Sequence, residues 1–397
     1  MDRGSVIKKT NNEIRPVVYA AGFYFFIAAT DSFRIGSIGS LLKIVAFLPL
    51  CFLLFDVNKL KIRFSATLVL QLAFWLLTAV SILYSIDADR TFSSFLSLTL
   101  NLLLVFCLGA MEQFSDAEYD FLLKSMLLGG WFTVLLMFLF SGFSDNGRIT
   151  LLLGQENQDQ NYINGYFMFA FSYHTHRMLI QKSRKHIFPT IFLLIVVLLT
   201  GSRGALLAFF VTFFTHICVL FGKSAHKIRN ICILAVVMLV VLLAMNAVLG
   251  FMPESISERF SWTYISETGL TGRTRIWSYL LNHYSKDSIL RMLFGHGYGT
   301  TSPLNAMNGK VAHNLYIDNL MTLGVVGLLL QVATQYSIVY VLIKQKQYPL
   351  LGAYIGMICM CLSLSLVAYK PIWNIMLLTL ALGTTKRKKY ENKESCE

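Results

Sequence analysis

The chain has 397 residues, of which 55% are hydrophobic, 14% are aromatic and only 14% are charged. Because about a quarter of the residues in soluble domains are charged, this composition excludes an ordinary soluble protein and indicates a polytopic membrane protein. The formal net charge of +13 does not point to a nucleic-acid partner, since most basic residues lie in short loops between apolar runs.

The apolar runs predict an all-α protein with about twelve transmembrane helices, because a bilayer core of ~30 Å needs about 20 apolar residues. The predicted helices are residues 17–30, 35–55, 64–84, 92–111, 121–141, 162–180, 187–201, 204–221, 230–250, 313–343, 349–369 and 371–384. We expect the first run to be a membrane helix rather than a signal peptide, since no small-residue cleavage signal follows it. The chain is thus predicted to form a single integral-membrane domain over residues 1–397.

Lysine and arginine are distributed unevenly between alternate loops. One set of loops holds clusters such as Lys59, Lys61 and Arg63, whereas the loops between them hold about one basic residue each. The positive-inside rule therefore predicts that both termini, including a basic tail at residues 385–397, face the cytoplasm.

Two predicted outer segments are longer than the rest. The first contains Arg148 and an amide-rich run at residues 154–161. The second, residues 251–312, carries several basic residues: Arg259, Arg273, Arg275, Lys286, Arg291 and Lys310. Basic residues retained on the outer side suggest an anionic ligand there. Within this large loop, residues 272–284 have the spacing of a short amphipathic helix lying on the membrane surface.

A Gly-x-Gly-x-Gly stretch, Gly295 to Gly299, follows this amphipathic segment. Alternating glycines permit a tight backbone that could present amides to an anion. The alternative is a flexible turn that returns the chain to the bilayer.

Arg203 lies in a four-residue connection, Gly201 to Gly204, between two apolar runs. A charge deep in the bilayer is costly, so Arg203 is expected at the outer boundary or beside a hydrated cavity. A guanidinium binds phosphate through two parallel hydrogen bonds, which favours an anion-binding role. The alternative is an anchor that extends to the lipid headgroups.

His313 and Asn314 open an apolar run that continues to Ile343. In an ideal helix, one face would hold His313, Tyr316, Leu320, Gly324 and Gly327. The two glycines predict close approach of another helix, which would fix the helix that carries His313. The alternative is a histidine that only caps a membrane helix at the water boundary.

The cysteines predict neither disulfides nor a metal site. Of the seven, only Cys396 lies outside the apolar runs, and no metal-ligand spacing is present.

Together these motifs resemble the bacterial O-antigen ligase and O-antigen polymerase superfamily, integral-membrane glycosyltransferases of the GT-C type. The family pattern His-Asn, nine residues, Gly-x-x-Gly is met by His313-Asn314 and by Gly324 with Gly327. The family's Arg-x-x-x-Leu is met by Arg203 and Leu207. The stretches 273–277 and 294–299 and the long outer loop also resemble it. Thr322 departs from the pattern, since many relatives have a glutamate there.

The resemblance implies transfer of a glycan from an undecaprenyl-diphosphate carrier to a sugar hydroxyl, at the outer face of the bacterial cytoplasmic membrane. The enzyme would be a metal-independent, inverting glycosyltransferase that needs no cofactor. His313 would abstract or guide the acceptor proton, and Arg203 would stabilise the departing diphosphate. Substrate contacts are expected from Arg273, Arg275, Asn314, Tyr316 and Arg148, and structural roles from Gly324 and Gly327.

The acceptor is open between two possibilities. A polymerase would extend another carrier-linked repeat unit of O-antigen, capsule or exopolysaccharide, and a ligase would use lipid A core or another terminal acceptor; we favour the polymerase. An alternative of a different class is a carrier or flippase for polar lipids, although no internal repeat is visible. Expected partners are the glycan donor, the glycan or lipid acceptor and membrane lipids, with a chain-length regulator and a flippase as further candidates.

Overall fold

The computed structural model of the chain describes residues 14–35, 39–55, 62–143, 149–153, 156–157, 160–222, 229, 250–251, 254–261, 263, 272–305 and 309–384. Its first eight helices are α1 Pro16–Phe26, α2 Leu41–Leu53, α3 Ala66–Ser81, α4 Ala88–Leu104, α5 Asp116–Leu139, α6 Gln160–Leu179, α7 Ile187–Leu199 and α8 Arg203–Gly222. The later helices are α9 Glu254–Ser257, α10 Arg273–Tyr284, α11 Ile289–Phe294, α12 Thr301–Leu304, α13 Leu315–Lys344, α14 Tyr348–Cys361 and α15 Lys370–Thr384.

Short strands accompany the helices. The strands β1 Arg34–Ile35 and β2 Gly39–Ser40 pair antiparallel, and a second sheet has the order β3 Ser141–Phe143, β4 Ile149–Leu153, β5 Glu156–Asn157. The predicted helix at residues 230–250 lies, except for its last residue, outside the described part of the chain, as does the predicted tail at residues 385–397.

The helices confirm a predominantly helical, multi-pass membrane protein. Within the described residues, five segments are long and apolar enough to cross a membrane: Ala66–Tyr84, Ala88–Ala110, Asp116–Leu139, Arg203–Gly222 and Leu315–Lys344. Shorter apolar helices accompany them at Pro16–Phe26, Leu41–Leu53, Tyr348–Cys361 and Lys370–Leu382. The total of twelve spans stays a prediction.

Helix α5 begins at Asp116, earlier than its apolar run, because Ser115 and Glu118 form a capping box. The Glu118 N–H donates to Ser115 Oγ at 3.2 Å, and the Ser115 N–H donates to Glu118 Oε2 at 2.8 Å. Arg15 donates through Nε to Glu118 Oε1 at 2.6 Å and also pairs with Glu112. Burial alone would lower the pKa of Arg15, but Glu118 and Glu112 outweigh it and hold this pKa above its usual range. The start of α1 is thereby fixed to the connection between α4 and α5.

Helix α8, which begins at Arg203, packs closely along α14. A Cβ atom at Gly356 would overlap Thr212 Oγ1, so the small residue lets the two helices approach. The Thr212 hydroxyl also donates to the Gly352 carbonyl at 3.1 Å. This contact fixes the position of α8, and with it the position of Arg203, against the core.

Helix α13 is kinked at Gly324, whose φ of 67° and ψ of −166° are not helical. The stretch after α11 docks at this kink through its backbone. The His296 N–H donates to the Met321 carbonyl at 3.2 Å, and the Gly297 N–H donates to the Thr322 carbonyl at 2.9 Å. The kink leaves these carbonyls available to the large loop, which fastens the loop to a membrane helix.

Another helix does approach closely at Gly324. It is α11, because an added Cβ at Gly324 would overlap the backbone of Leu293. At Gly327 an added Cβ would instead overlap the side chain of Leu323 in the same helix. The close approach therefore involves a helix of the large loop and one of the two glycines.

We expect Gly324→Ala to destabilise the protein more than Gly309→Ala. Both glycines have a similar positive φ, +67° and +63°, but a Cβ at Gly309 meets no atom within 4 Å. The alanine at 309 thus measures backbone strain alone, about 1–2 kcal/mol. The alanine at 324 adds a collision with Leu293 and a φ, ψ combination that is essentially restricted to glycine.

Thermal unfolding of the purified protein in detergent measures this difference. The Gly324→Ala protein should melt at a lower temperature than the Gly309→Ala protein or be recovered mostly as aggregate. Equal melting temperatures for the two variants would contradict the described docking of α11 on the kink.

Candidate active site

The turn that carries Arg203 is ordered by its neighbours. Gly201 has a φ of +59°, and the buried Ser202 hydroxyl accepts from the Ala205 N–H at 3.3 Å, which caps the start of α8. The same hydroxyl donates to Asn161 Oδ1 at 2.8 Å. Arg203 therefore occupies a defined place at the first position of α8.

Arg203 lines a cavity of about 270 Å³. The residues that line it come from α6, the start of α8, the large loop and the end of α14: Asn161, Arg203, Gly204, Leu207, Arg259, Arg273, Trp277, Cys359, Leu362 and Ser363. Three of them are arginines from three separate stretches of chain, and none is an aspartate or glutamate. The cavity is thus strongly cationic and partly apolar.

Gly204 lets the start of α8 lie against the segment that follows α14. A Cβ at Gly204 would overlap the hydroxyl of Ser363, another residue of the cavity wall. The glycine after Arg203 therefore permits a close contact within the protein, in addition to any approach by a ligand.

Arg259 is the cavity residue that the sequence did not single out. It lies in the short turn Glu258–Phe260, and its Nε donates to the Gly201 carbonyl at 3.3 Å. This bond joins the large loop to the turn that holds Arg203. The only sequence signal was its membership of the basic residues in the large loop.

His313 lies before α13 rather than on its helical face. Its φ is +50°, and the helix begins at Leu315 with Asn314 as the N-cap. The expected helical face shared by His313, Gly324 and Gly327 is therefore wrong: His313 precedes the helix, and the kink at Gly324 interrupts it. Histidine adopts positive φ more readily than most residues, but this conformation is still uncommon.

Hydrogen bonds on both sides hold His313 beside the cavity. The Trp277 Nε1–H donates to the Ala312 carbonyl at 2.8 Å, and Asn314 Nδ2 donates to the Leu362 carbonyl at 3.1 Å. Trp277 and Leu362 both line the cavity, so the residues on either side of His313 are bonded to its wall, while His313 itself is not among the lining residues.

Asn314 and Tyr316 make contacts within the protein. Asn314 Oδ1 accepts from the N–H groups of Tyr316 at 3.0 Å and Ile317 at 3.1 Å. The Tyr316 hydroxyl donates to Gln335 Oε1 at 3.1 Å, farther along α13. Neither is among the residues that line the cavity, so their substrate contacts stay predictions.

Asp318 is a positioning residue that the sequence did not reveal. It is buried in the first turn of α13, where Oδ1 accepts from the Ala312 N–H at 3.2 Å and Oδ2 accepts from the Ser365 hydroxyl. This carboxylate joins the residue before His313 to the segment that connects α14 and α15. In the sequence, this role was indicated only by the presence of a carboxylate close to the start of an apolar run.

The remaining predicted contacts are dispersed. Arg273 lines the cavity, whereas Arg275 is exposed on α10 and is not among the lining residues. Arg148 lies outside the described residues. The structure therefore brings Arg203 and Arg273 together in one cavity wall, links that wall to the two neighbours of His313, and leaves Arg275 apart.

The Gly-rich stretch is neither the proposed anion cradle nor a free turn. Gly295, Gly297 and Gly299 all have positive φ, and an added Cβ would overlap Thr322, Ser85 and Ser94, respectively. The amides of His296 and Gly297 are already bonded to α13. These glycines instead permit tight packing of the loop on the membrane helices.

Fold and cavity together define a multi-pass membrane protein with an arginine-lined site beside a histidine. Residues 188–332 match the sequence model of a family described as O-antigen ligase. The match supports the O-antigen ligase and polymerase superfamily and confirms the resemblance seen in the motifs. No curated protein matches the chain.

The matched range includes the histidine and all three arginines of the site. It covers somewhat more than a third of the chain and ends within α13. The family indicates a function of the O-antigen ligase or polymerase type and a glycosyltransferase-like enzyme.

Proposed function

We propose that the protein is a polysaccharide polymerase. It transfers a glycan from an undecaprenyl-diphosphate carrier to a sugar hydroxyl of a second carrier-linked repeat unit. The observation that carries this proposal is the convergence of Arg203, Arg259 and Arg273 on one cavity. His313 follows Ala312, whose carbonyl is bonded by Trp277 of the cavity wall. Such a site can hold a diphosphate and place a proton acceptor near it.

The cavity suits a diphosphate for electrostatic and geometric reasons. A guanidinium matches two phosphate oxygens at once, and a well-placed hydrogen bond to a charged group contributes about 1.5–3 kcal/mol. Arg203, at the helix start, also lies where the helix dipole favours an anion. The apolar wall formed by Leu207, Trp277 and Leu362 suits the glycan face and the start of the lipid chain.

The reaction is a single displacement at the anomeric carbon. The acceptor hydroxyl oxygen attacks this carbon while its bond to the diphosphate oxygen breaks, so the configuration inverts. His313 receives the proton of the hydroxyl, and the arginines stabilise the negative charge on the departing carrier diphosphate. The charge neutralisation comes from protein side chains, and neither a metal ion nor another cofactor is required by this scheme.

Two alternatives use the same cavity. A ligase would accept lipid A core or another terminal acceptor in place of a repeat unit. A flippase would bind the lipid diphosphate through the arginines but would need no base at His313. Gln335 and Asp318 of α13 are engaged within the protein and favour neither acceptor.

The proposed orientation places the cavity and residues 251–312 on the outer face of the bacterial cytoplasmic membrane. Ser261→Cys provides the test, because Ser261 lies two residues after Arg259 in the large loop and is partly exposed to solvent. A membrane-impermeant thiol reagent should label it in intact spheroplasts. Labelling only after permeabilisation would reverse the orientation and exclude an acceptor on the outer side.

We expect Arg203→Lys to reduce polymer formation by about 10- to 100-fold, because lysine keeps the charge but loses the two parallel bonds to phosphate. Arg90→Lys is the matched control, since Arg90 is exposed in the first turn of α4. Polymer length on a gel and the amount of protein in the membrane are measured together. Normal polymer from Arg203→Ala would leave Arg203 as an anchor only.

His313→Ala separates the enzyme from the flippase. If His313 accepts the proton, the variant should still bind the carrier-linked glycan through the arginines but form no longer chains. His313→Gln can hydrogen-bond but cannot accept a proton at neutral pH, so it should be nearly as inactive.

Purified protein with donor and acceptor measures both binding and transfer. Near-normal transfer by His313→Gln would limit His313 to positioning the acceptor. The wild-type protein could instead move the intact lipid across vesicle membranes and form no glycosidic bond. That result would reject the enzyme and identify the protein as a flippase.

A further inference from the structure

A second cluster of functional side chains lies in the large loop, away from the cavity. It consists of His283 at the end of α10, Asp287 in the following turn and His296 in the Gly-rich stretch. One ligand atom from each residue lies within 4.8 Å of the others. None of the three residues lines the arginine cavity, so the cluster is a separate feature.

The donor atoms of this cluster are buried without hydrogen bonds. The side chain of His296 is 6% exposed and that of Asp287 is 12% exposed. Among the described residues, no hydrogen-bond partner exists for either ring nitrogen of His296, for Asp287 Oδ2 or for His283 Nδ1. Buried polar atoms are normally satisfied, so one unsatisfied atom from each of three residues, all within 4.8 Å of one another, suggests a ligand between them.

The spacing of these atoms fits a tetrahedral metal ion. Asp287 Oδ2 lies 3.6 Å from His283 Nδ1 and 3.2 Å from His296 Nε2. Two ligands bound at about 2.0–2.1 Å in a tetrahedron are separated by about 3.3 Å. Both distances are close to this value. The two histidine nitrogens lie within 4.8 Å of each other, so binding of the ion draws them together.

We propose that His283, Asp287 and His296 form a binding site for a divalent transition-metal ion, with Zn²⁺ as the best match. Two imidazole nitrogens and one carboxylate oxygen are ligands that Zn²⁺ binds, whereas Mg²⁺ and Ca²⁺ favour oxygen ligands alone. Water occupies the fourth position, since His283 is 38% exposed and leaves a path to solvent.

The bound ion joins two parts of the large loop. His283 lies in the last turn of α10. The first turns of the same helix place Arg273 and Trp277 in the cavity wall. His296 belongs to the stretch that is docked on the kink of α13. The ion therefore holds α10 in a fixed direction relative to α13, and its role is structural.

Metal content of the full-length protein tests this site. The chain is purified in detergent on a tag that contains no histidine, treated with a chelator, loaded with Zn²⁺ at neutral pH and freed of loose metal. We expect about one Zn²⁺ per chain by elemental analysis, and a higher melting temperature with Zn²⁺ than after chelation. Loading with Co²⁺ should give the visible absorption of a four-coordinate ion.

Substitutions at the ligands assign the metal to these residues. Asp287→Asn, His296→Gln and the half-exposed His283→Gln should each weaken Zn²⁺ binding by more than about 100-fold, since even the outer partners of metal ligands contribute about 10- to 100-fold. His186→Gln is the control, because His186 lies in the turn before α7 and pairs with His174. It should keep the wild-type Zn²⁺ content.

Two results would overturn the proposal. Wild-type protein that retains no Zn²⁺ and melts at the same temperature with and without it would leave the cluster as an ion pair between Asp287 and a protonated histidine. Unchanged Zn²⁺ binding in His283→Gln, which is the substitution least able to disturb folding, would place the ion elsewhere in the chain.

Discussion

The kink at Gly324 is the constraint on which the arrangement of the large loop depends. A regular helix would use the carbonyls of Met321 and Thr322 internally, but the kink leaves them to accept from His296 and Gly297. The loop is therefore attached to the membrane helices by backbone bonds rather than by side chains alone. Glycine is needed both in the loop, at Gly295, and in α13, at Gly324, because the backbones of the loop and of α13 approach too closely for a Cβ atom.

The arginine-lined cavity depends on this attachment through α10. Trp277 on α10 bonds the residue before His313, and Asn314 bonds Leu362, another residue of the cavity wall. His313 is thus fixed from both sides by residues of separate elements, and Asp318 supports the same point from within α13. Such support is what a proton acceptor needs if it is to meet a hydroxyl in one defined geometry.

The sequence predicted the charged and apolar features of this protein well, because these follow from composition and local spacing. Arg203 was identifiable since a charge between two apolar runs has few places to lie, and His313 since it opens a long apolar run. The prediction that His313 lies on the helical face of α13 was wrong, because positive φ at His313 and at Gly324 cannot be read from hydrophobic spacing. Helix starts such as that of α5 were misplaced where a capping box extends the helix into polar sequence.

Long-range contacts account for most of what the sequence did not reveal. Arg259 reaches Gly201 across a wide gap in the chain, so no local pattern marks it as part of the cavity. His283 and Asp287 are one helical turn apart, but His296 joins them only after the Gly-rich stretch has docked. No local spacing in the sequence therefore brings all three residues together.

The docking of the Gly-rich stretch on α13 also determines the order in which this region is assembled. Residues 295–299 leave the ribosome before residues 321–324, so their partner carbonyls do not yet exist when the stretch is synthesised. The amides of His296 and Gly297 stay hydrated until α13 has entered the bilayer and bent at Gly324. Closure of the large loop over the membrane helices is consequently a late step in biogenesis, and a nascent chain that stops short of α13 has no complete cavity.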